Sequence, residues 1–225
     1  MNLNPKRFLS AALLGCSALL ASVFMSSAWS ATLTLDVASS EGEVLDYAAV
    51  YLEPLSFDVT PYDDTQPPVV IAQKGQVFLP AITVLQTGTR VEFPNLDTVR
   101  HHVYSFSEAK TFDIKLYLGR APSSESFDKP GLVTLGCNIH DAMIAWVVVV
   151  DTPYFVLTDV TGKATLEVPD GEYRVKVWDR RQVNAQNDGQ VLTVSGNQAL
   201  ALSTDILDFD PYTDLSADSM QHVHH

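Results

Sequence analysis

The chain has 225 residues, with 14 Lys and Arg against 27 Asp and Glu, for a net charge of −13. That balance excludes phosphate-backbone binding as the main task, because too little cationic side chain is present to neutralise a nucleic acid. It is read first as an aid to solubility and second as a field suited to a basic partner.

Residues 1–30 read as an export signal. Lys6 and Arg7 give a charged start, Phe8 to Met25 an apolar stretch, and Ala28-Trp29-Ser30 the small residues a signal peptidase reads, with cleavage expected before Ala31. As a membrane span the apolar run is about the minimum length, is diluted by Ser and Ala, and has no charged stop after it. No stable membrane insertion is therefore expected once the signal is removed. Leu13-Leu14-Gly15-Cys16 resembles a bacterial lipobox, but acylation at Cys16 would leave an apolar tail where a polar tether is needed. The periplasm is the expected location, with a lipoprotein the lesser alternative. Cleavage removes two cations and no anion, so the mature chain carries about −15. It also leaves Cys137 as the one remaining thiol in an oxidising compartment, where a lone Cys must be buried, pair with another chain or hold a metal.

The elements that follow read as strands almost throughout. Thr32 to Val37 alternates in period two, Ser39 to Gly42 is a turn, and Val44 to Leu52 reads as a second strand. Asp58 to Pro68, with three Pro and three Asp, reads as a linker or long loop. A new block opens at Val69 to Gln73 and continues through Gln76 to Pro80, Ile82 to Leu85 and Arg90 to Phe93. A turn at Pro94-Asn95-Leu96-Asp97 leads to His101-His102, then Val103 to Phe106 and Thr111 to Leu118 are strand-like. Gly119 to Ser126 reads as a polar loop, Gly131 to Leu135 as a short strand, and Ala145 to Val150 as a strand buried on both faces. After Pro153 come strands at Tyr154 to Leu157, Ala164 to Val168 and Tyr173 to Trp178, with Asp170-Gly171 as a hairpin signal. Val191 to Val194 and Ala199 to Leu202 could close a sheet, and the chain from Ser203 on is acidic and turn-rich, ending in His222, His224 and His225.

Chemistry concentrates in Cys137-Asn138-Ile139-His140-Asp141-Ala142-Met143, pressed between two strands. A tight loop there lets Cys137 leave one strand and Met143 enter the next, with His140 at the tip and His101 arriving from a neighbouring strand end. Two imidazoles, a thiolate and a thioether form the ligand set of a mononuclear blue-copper site, in which soft sulfur selects copper over hard cations. Zinc is the competing metal, with Cys137, His101, His102 and His140 as four ligands. Adjacent strand residues project to opposite faces, so His101 and His102 should not share one metal, and zinc would leave Met143 unexplained. A dinuclear copper centre needs a second Cys beside the first, and the sequence has none.

Val91-Glu92-Phe93-Pro94-Asn95-Leu96-Asp97 before a His-polar-Val triplet, together with the closing Cys-His-Met loop, resembles the cupredoxins, the blue-copper family of plastocyanin, azurin and amicyanin. The Cys-x2-His-x2-Met spacing is similar to the short amicyanin form, and the wider set is similar to methylamine-utilisation proteins. The resemblance implies an all-β, Greek-key cupredoxin sandwich carrying one type 1 copper per chain on His101, Cys137, His140 and Met143. It also implies electron exchange with redox partner proteins, a cytochrome or a dehydrogenase, through the edge of His140. Where the family reads His-Asn-Val this chain has His101-His102-Val103, which favours His101 as ligand. It gives His102 the position at which the family bonds the ligand loops together, with Asn95 a further supporting residue and His102 the alternative ligand.

The flanks carry a weaker likeness. Leu33 to Glu53 and Thr158 to Val177 resemble a carboxypeptidase-regulatory or Cna-B-type β-sandwich, so the expected organisation is a signal peptide (1–30), a first part of a flanking sandwich with linker (31–66), a cupredoxin domain (67–151), the rest of the flanking sandwich (152–203) and a disordered tail (204–225). Four protein ligands leave no open metal position, and no nucleophile–base constellation appears, so an enzyme is not expected. The alternatives to an electron carrier are a periplasmic copper chaperone or store, and a structural β-sandwich protein with an incidental metal site.

Overall fold

The computed structural model describes residues 30–182, 188–208 and 210. The export signal, the Cys16 sequence and the terminal histidines lie outside these residues. The strands, in chain order, are β1 (Ser30–Ser39), β2 (Ala49–Pro54), β3 (Val69–Val70), β4 (Ala72–Lys74), β5 (Val77–Leu79), β6 (Ile82–Gln86), β7 (Thr89–Glu92), β8 (His101–Ser107) and β9 (Lys110–Tyr117). They continue with β10 (Glu125–Phe127), β11 (Gly131–Gly136), β12 (Ile144–Val150), β13 (Phe155–Leu157), β14 (Lys163–Pro169), β15 (Gly171–Trp178), β16 (Gln190–Val194) and β17 (Gln198–Thr204). No α-helix occurs among the described residues.

Two sandwiches result. In the central one a five-stranded sheet, β6-β12-β11-β8-β9, faces the smaller sheet β10-β7-β3, and the β4-β5 hairpin stands beside them. Phe78, Phe93, Val103, Phe127, Val133, Leu135 and Val147 fill the space between. The other is made of β14-β1-β17 and β13-β2-β15-β16. Its first strand alternates as the sequence does: Ala31, Leu33, Leu35 and Val37 are buried on one face, antiparallel to β14 and parallel to β17. Strand β2 pairs with β13 and β15, so both N-terminal strands find their partners after residue 153.

The Ile144–Val150 strand is apolar at every position because it borders two cores. Ala145, Val147 and Val149 enter the central sandwich. Trp146, Val148 and Val150 enter a second apolar layer with Ala49 of β2, Ile82 of β6 and Trp178 of β15. The Trp146 and Trp178 rings lie 6.3 Å apart across that layer.

Three sequence expectations are corrected. The strand expected from Val44 begins only at Ala49, because Tyr47 turns the chain at φ 54 and Leu45 N–H donates back to Val37 O at 3.1 Å. The expected loop 119–126 contributes its last two residues to β10, which pairs with β7. The acidic segment expected to be a free tail from 204 is docked as far as it is described: Ile206 bridges Gln182, Leu207 N–H donates to Arg181 O, and Arg180 pairs with Asp210 at 2.8 Å. The segment is thus held by backbone bonds to Arg181 and Gln182 and by one ion pair, from the partly buried Arg180 just after β15.

Trp178→Ala should lower the unfolding free energy by roughly 3–5 kcal/mol, the range for deleting a large buried aromatic side chain. Chemical denaturation of the metal-free protein measures it.

Candidate metal centre

Three strand ends converge at one end of the central sandwich. Strand β11 lies between β8 and β12 in the sheet and ends at Gly136, which pairs with both Ile144 and Tyr104. The 137–143 segment is thus a short loop between antiparallel neighbours, tightened by a Met143 N–H to His140 O bond of 2.9 Å. His101 is the first residue of β8, so its side chain enters the core beside Cys137.

The donors gather there. Cys137 Sγ lies 3.9 Å from His101 Nδ1 and 3.9 Å from His140 Nδ1, and the three ligand atoms all fall within 4.8 Å of one another. The two imidazole rings meet edge to face with centroids 5.0 Å apart. His101 and Cys137 are buried, and His140 is half-buried. Met143 is fully buried in the same apolar cluster as Cys137. One thiol and two imidazole nitrogens at this spacing, with a thioether in the same cluster, fit a single copper ion by donor softness.

His101 is positioned from its far side. Its Nε2 lies 2.8 Å from Asp97 Oδ2, so a ring that donates there presents the Nδ1 lone pair to Cys137. Asp97 also accepts from Gly75 N–H at 2.6 Å and Gln76 N–H at 3.0 Å. Both of those residues have positive φ, at 66° and 63°, the type I′ conformation that lets a two-residue hairpin turn between β4 and β5. Burial pushes the Asp97 carboxyl up, but the bonds from Gln76, Gly75 and His101 outweigh it and hold the group below the ordinary carboxylate range.

Around this lies a second set of contacts. Gln73 is fully buried; its amide donates to Phe93 O at 2.9 Å and to the Tyr117 hydroxyl, which itself donates to Phe93 O. Burial pushes the Tyr117 phenol up to about 12, with the Gln73 bond lowering it and nearby Cys137 raising it. Asn95 spans the ligand turn, donating to Val99 O and Tyr117 O and accepting from Asp97 N–H at 2.9 Å.

His102 faces the other way. Its Nε2 bonds to Asp113 of β9 and its ring packs on Tyr104 at 5.5 Å. Strand alternation sends adjacent side chains to opposite faces, so the bond between ligand loops expected of His102 is replaced by one to a neighbouring strand. Asp97 was missed as a site residue in the sequence, although its spacing of four before His101 is a local signal. Gln73 and Tyr117 reach the site only through strand pairing and leave no local signal.

A His101, a Cys137-x2-His140-x2-Met143 loop and this mixed two-sheet frame define a cupredoxin-like sandwich with a copper-type donor set. No family model and no curated protein sequence matches the chain. Among solved structures it is similar to a copper-containing nitrite reductase from Thermus scotoductus SA-01, at 23% identity and TM-score 0.36, over 44% of this chain and 25% of that one. The chain thus spans about a quarter of that protein's length. It is also similar to the reduced form of a proline-to-glycine variant of amicyanin, at 17% identity and TM-score 0.35, over 47% of this chain and 100% of that one. A third likeness is to the oxidised form of a methionine-to-leucine variant of amicyanin, at 16% identity and TM-score 0.34, over 44% of this chain and 99% of that one.

Asp97→Asn should weaken copper affinity roughly 10–100-fold, as loss of a carboxylate behind a metal-bound imidazole does, whereas His102→Ala should leave it nearly unchanged. Competition titration with a chelator of known affinity separates the two.

Proposed function

We propose that this chain is an exported type 1 copper protein that accepts and donates single electrons, with one copper per chain held by His101, Cys137, His140 and Met143. The observation that carries the reading is the convergence of His101 Nδ1, Cys137 Sγ and His140 Nδ1 within 4.8 Å at the end of a β-sandwich. Bound there, copper supplies a Cu(I)/Cu(II) couple.

The protein's own part is to hold the donors still. His101 sits on Asp97, and Cys137 and Met143 are locked in a close-packed core. Met143 completes a set of four donors, which leaves no position for substrate and argues for a carrier rather than an enzyme. His140 is the half-buried donor, on a loop whose Ile139 and Ala142 are exposed. Its ring edge is the port through which a redox partner protein is reached, and those apolar neighbours favour a dry contact. The pairing of β1 and β2 with strands beyond residue 153 supports the further reading that residues 67–151 form a domain inserted into a second sandwich made of 31–66 and 152–203.

Loading the purified protein with Cu(II) should give an intense thiolate-to-copper absorption in the visible, lost in Cys137→Ser. Met143→Leu should keep the colour and shift the reduction potential in voltammetry, because the axial donor tunes it. A colourless protein that binds zinc as readily would contradict the reading.

A further inference from the structure

The turn that carries Asp97 is gripped from two strands by side chains far from it in sequence. Gln73 of β4 is fully buried. Its backbone brackets Asn95, with Gln73 N–H donating to Pro94 O at 2.8 Å and Gln73 O accepting from Leu96 N–H at 2.8 Å. Its side-chain amide donates to Phe93 O at 2.9 Å and to the Tyr117 hydroxyl, and that hydroxyl donates to Phe93 O in turn. One carbonyl thus accepts from two side chains that are also bonded to each other. Gln73 Oε1 is buried and has no hydrogen-bond partner among the described residues. A buried acceptor left unpaired lowers stability, so the stability of the fold alone does not account for an amide here. An apolar side chain of like volume would carry no such cost.

Tyr117 belongs to the same network through strand pairing. It stands directly opposite His101 across β8 and β9, and the register shifts between His101 and Val103, so an irregularity separates this pair from the rest of the ladder. The Tyr117 carbonyl accepts from Asn95 Nδ2 at 2.8 Å, and Gly119 O accepts from Asn95 N–H at 2.7 Å. The turn is therefore held at Phe93, Pro94, Asn95 and Leu96 before Asp97 reaches the ring of His101. The other donors are placed independently of it. Cys137 and Met143 extend from the ends of β11 and β12, and His140 stands on the loop between them.

We infer that Gln73 and Tyr117 are positioning residues for His101. Their joint hold on Phe93 O fixes the turn, the turn fixes Asp97, and Asp97 fixes the imidazole that faces the metal. The inference rests on the metal-binding reading above. Either donor alone still satisfies Phe93 O, so removing one loosens the turn and removing both frees it. A loosely held His101 weakens the site more for Cu(II), which gains most from imidazole, than for Cu(I), which the soft sulfur donors still suit.

The test compares Gln73→Met, Tyr117→Phe and the double variant, which remove the donors at nearly constant volume. In voltammetry of the copper-loaded protein, each single variant should change the Cu(II)/Cu(I) affinity ratio by less than about threefold. The double variant should lower that ratio about tenfold, more than the two singles combined, which is a rise in potential of about 59 mV for one electron. A second reading needs no metal: proton NMR of metal-free protein follows solvent exchange of the His101 Nε2–H that Asp97 accepts. Exchange should be faster in each single variant and several-fold faster again in the double. Should the double variant not fold, wild-type exchange in both singles would overturn the inference. Thr158→Val is the control for stability alone. It removes a buried hydroxyl of the flanking sandwich that donates to Leu45 O and accepts from Ala48 N–H, and should lower stability while leaving potential and ring exchange unchanged. An equal shift by Thr158→Val, or a folded double variant with the wild-type potential, would overturn the positioning role. Failure of the metal reading has a separate signature: wild type would show no Cys137-dependent absorption with Cu(II), while ring exchange in the metal-free protein still followed the variants.

Discussion

Ala145, Val147 and Val149 leave one face of β12 for the central core, while Trp146, Val148 and Val150 leave the other for the layer shared with β2 and β15. A strand buried on both sides has no solvent-facing freedom of register, since a slip by one residue would exchange its two sets of side chains. That constraint reaches the metal centre directly. Fixed β12 holds β11 in register by six pairs from Gly131↔Val149 to Gly136↔Ile144, and the last of these sets the ends from which Cys137 and Met143 project. The donor loop is therefore positioned by apolar packing of the strand that follows it, more than by contacts of its own.

Much of this was legible in the sequence because it depends on local pattern. The unbroken apolar run 145–150 announced a strand between two cores, and the alternation of Thr32 to Val37 announced one buried face. The Cys137–Met143 spacing between strands announced a loop that collects donors, and strand alternation separated His101 from His102. What stayed hidden depends on pairing across distance. Gln73 and Tyr117 meet beside the centre because β4 and β9 both pass Phe93, a relation without periodicity. The start of β2 was misplaced because Tyr47 takes a left-handed conformation that a tyrosine seldom adopts. The docking of Ile206 and Leu207 was invisible because its partners are the backbone of Gln182 and Arg181, reached only through the pairing of distant strands.

The two imidazoles of the centre are held unequally. His101 is buried and tied through Asp97 to a backbone turn, whereas His140 stands half-buried on the loop it belongs to. One donor is thus fixed by the sheet and the carboxylate behind it, the other by the seven-residue loop whose two ends are buried in the core.

The pairing of Leu33 with both Leu166 and Gln198 has a consequence for how the chain assembles. Among the described residues, the first strand has no strand partner within the first hundred positions of the chain; its local pairing is the Ala38–Val44 bridge and the turn around it. Contacts of such long sequence separation form late, because loop-closure entropy opposes them until something shortens the loop. In the folded chain the central sandwich gathers residues 69 to 150 into one body, which shortens the path between the terminal strands. The pairing of β1 with β14 and β17 therefore closes across the whole central sandwich, and a chain shortened at β17 would leave one edge of β1 without its parallel partner.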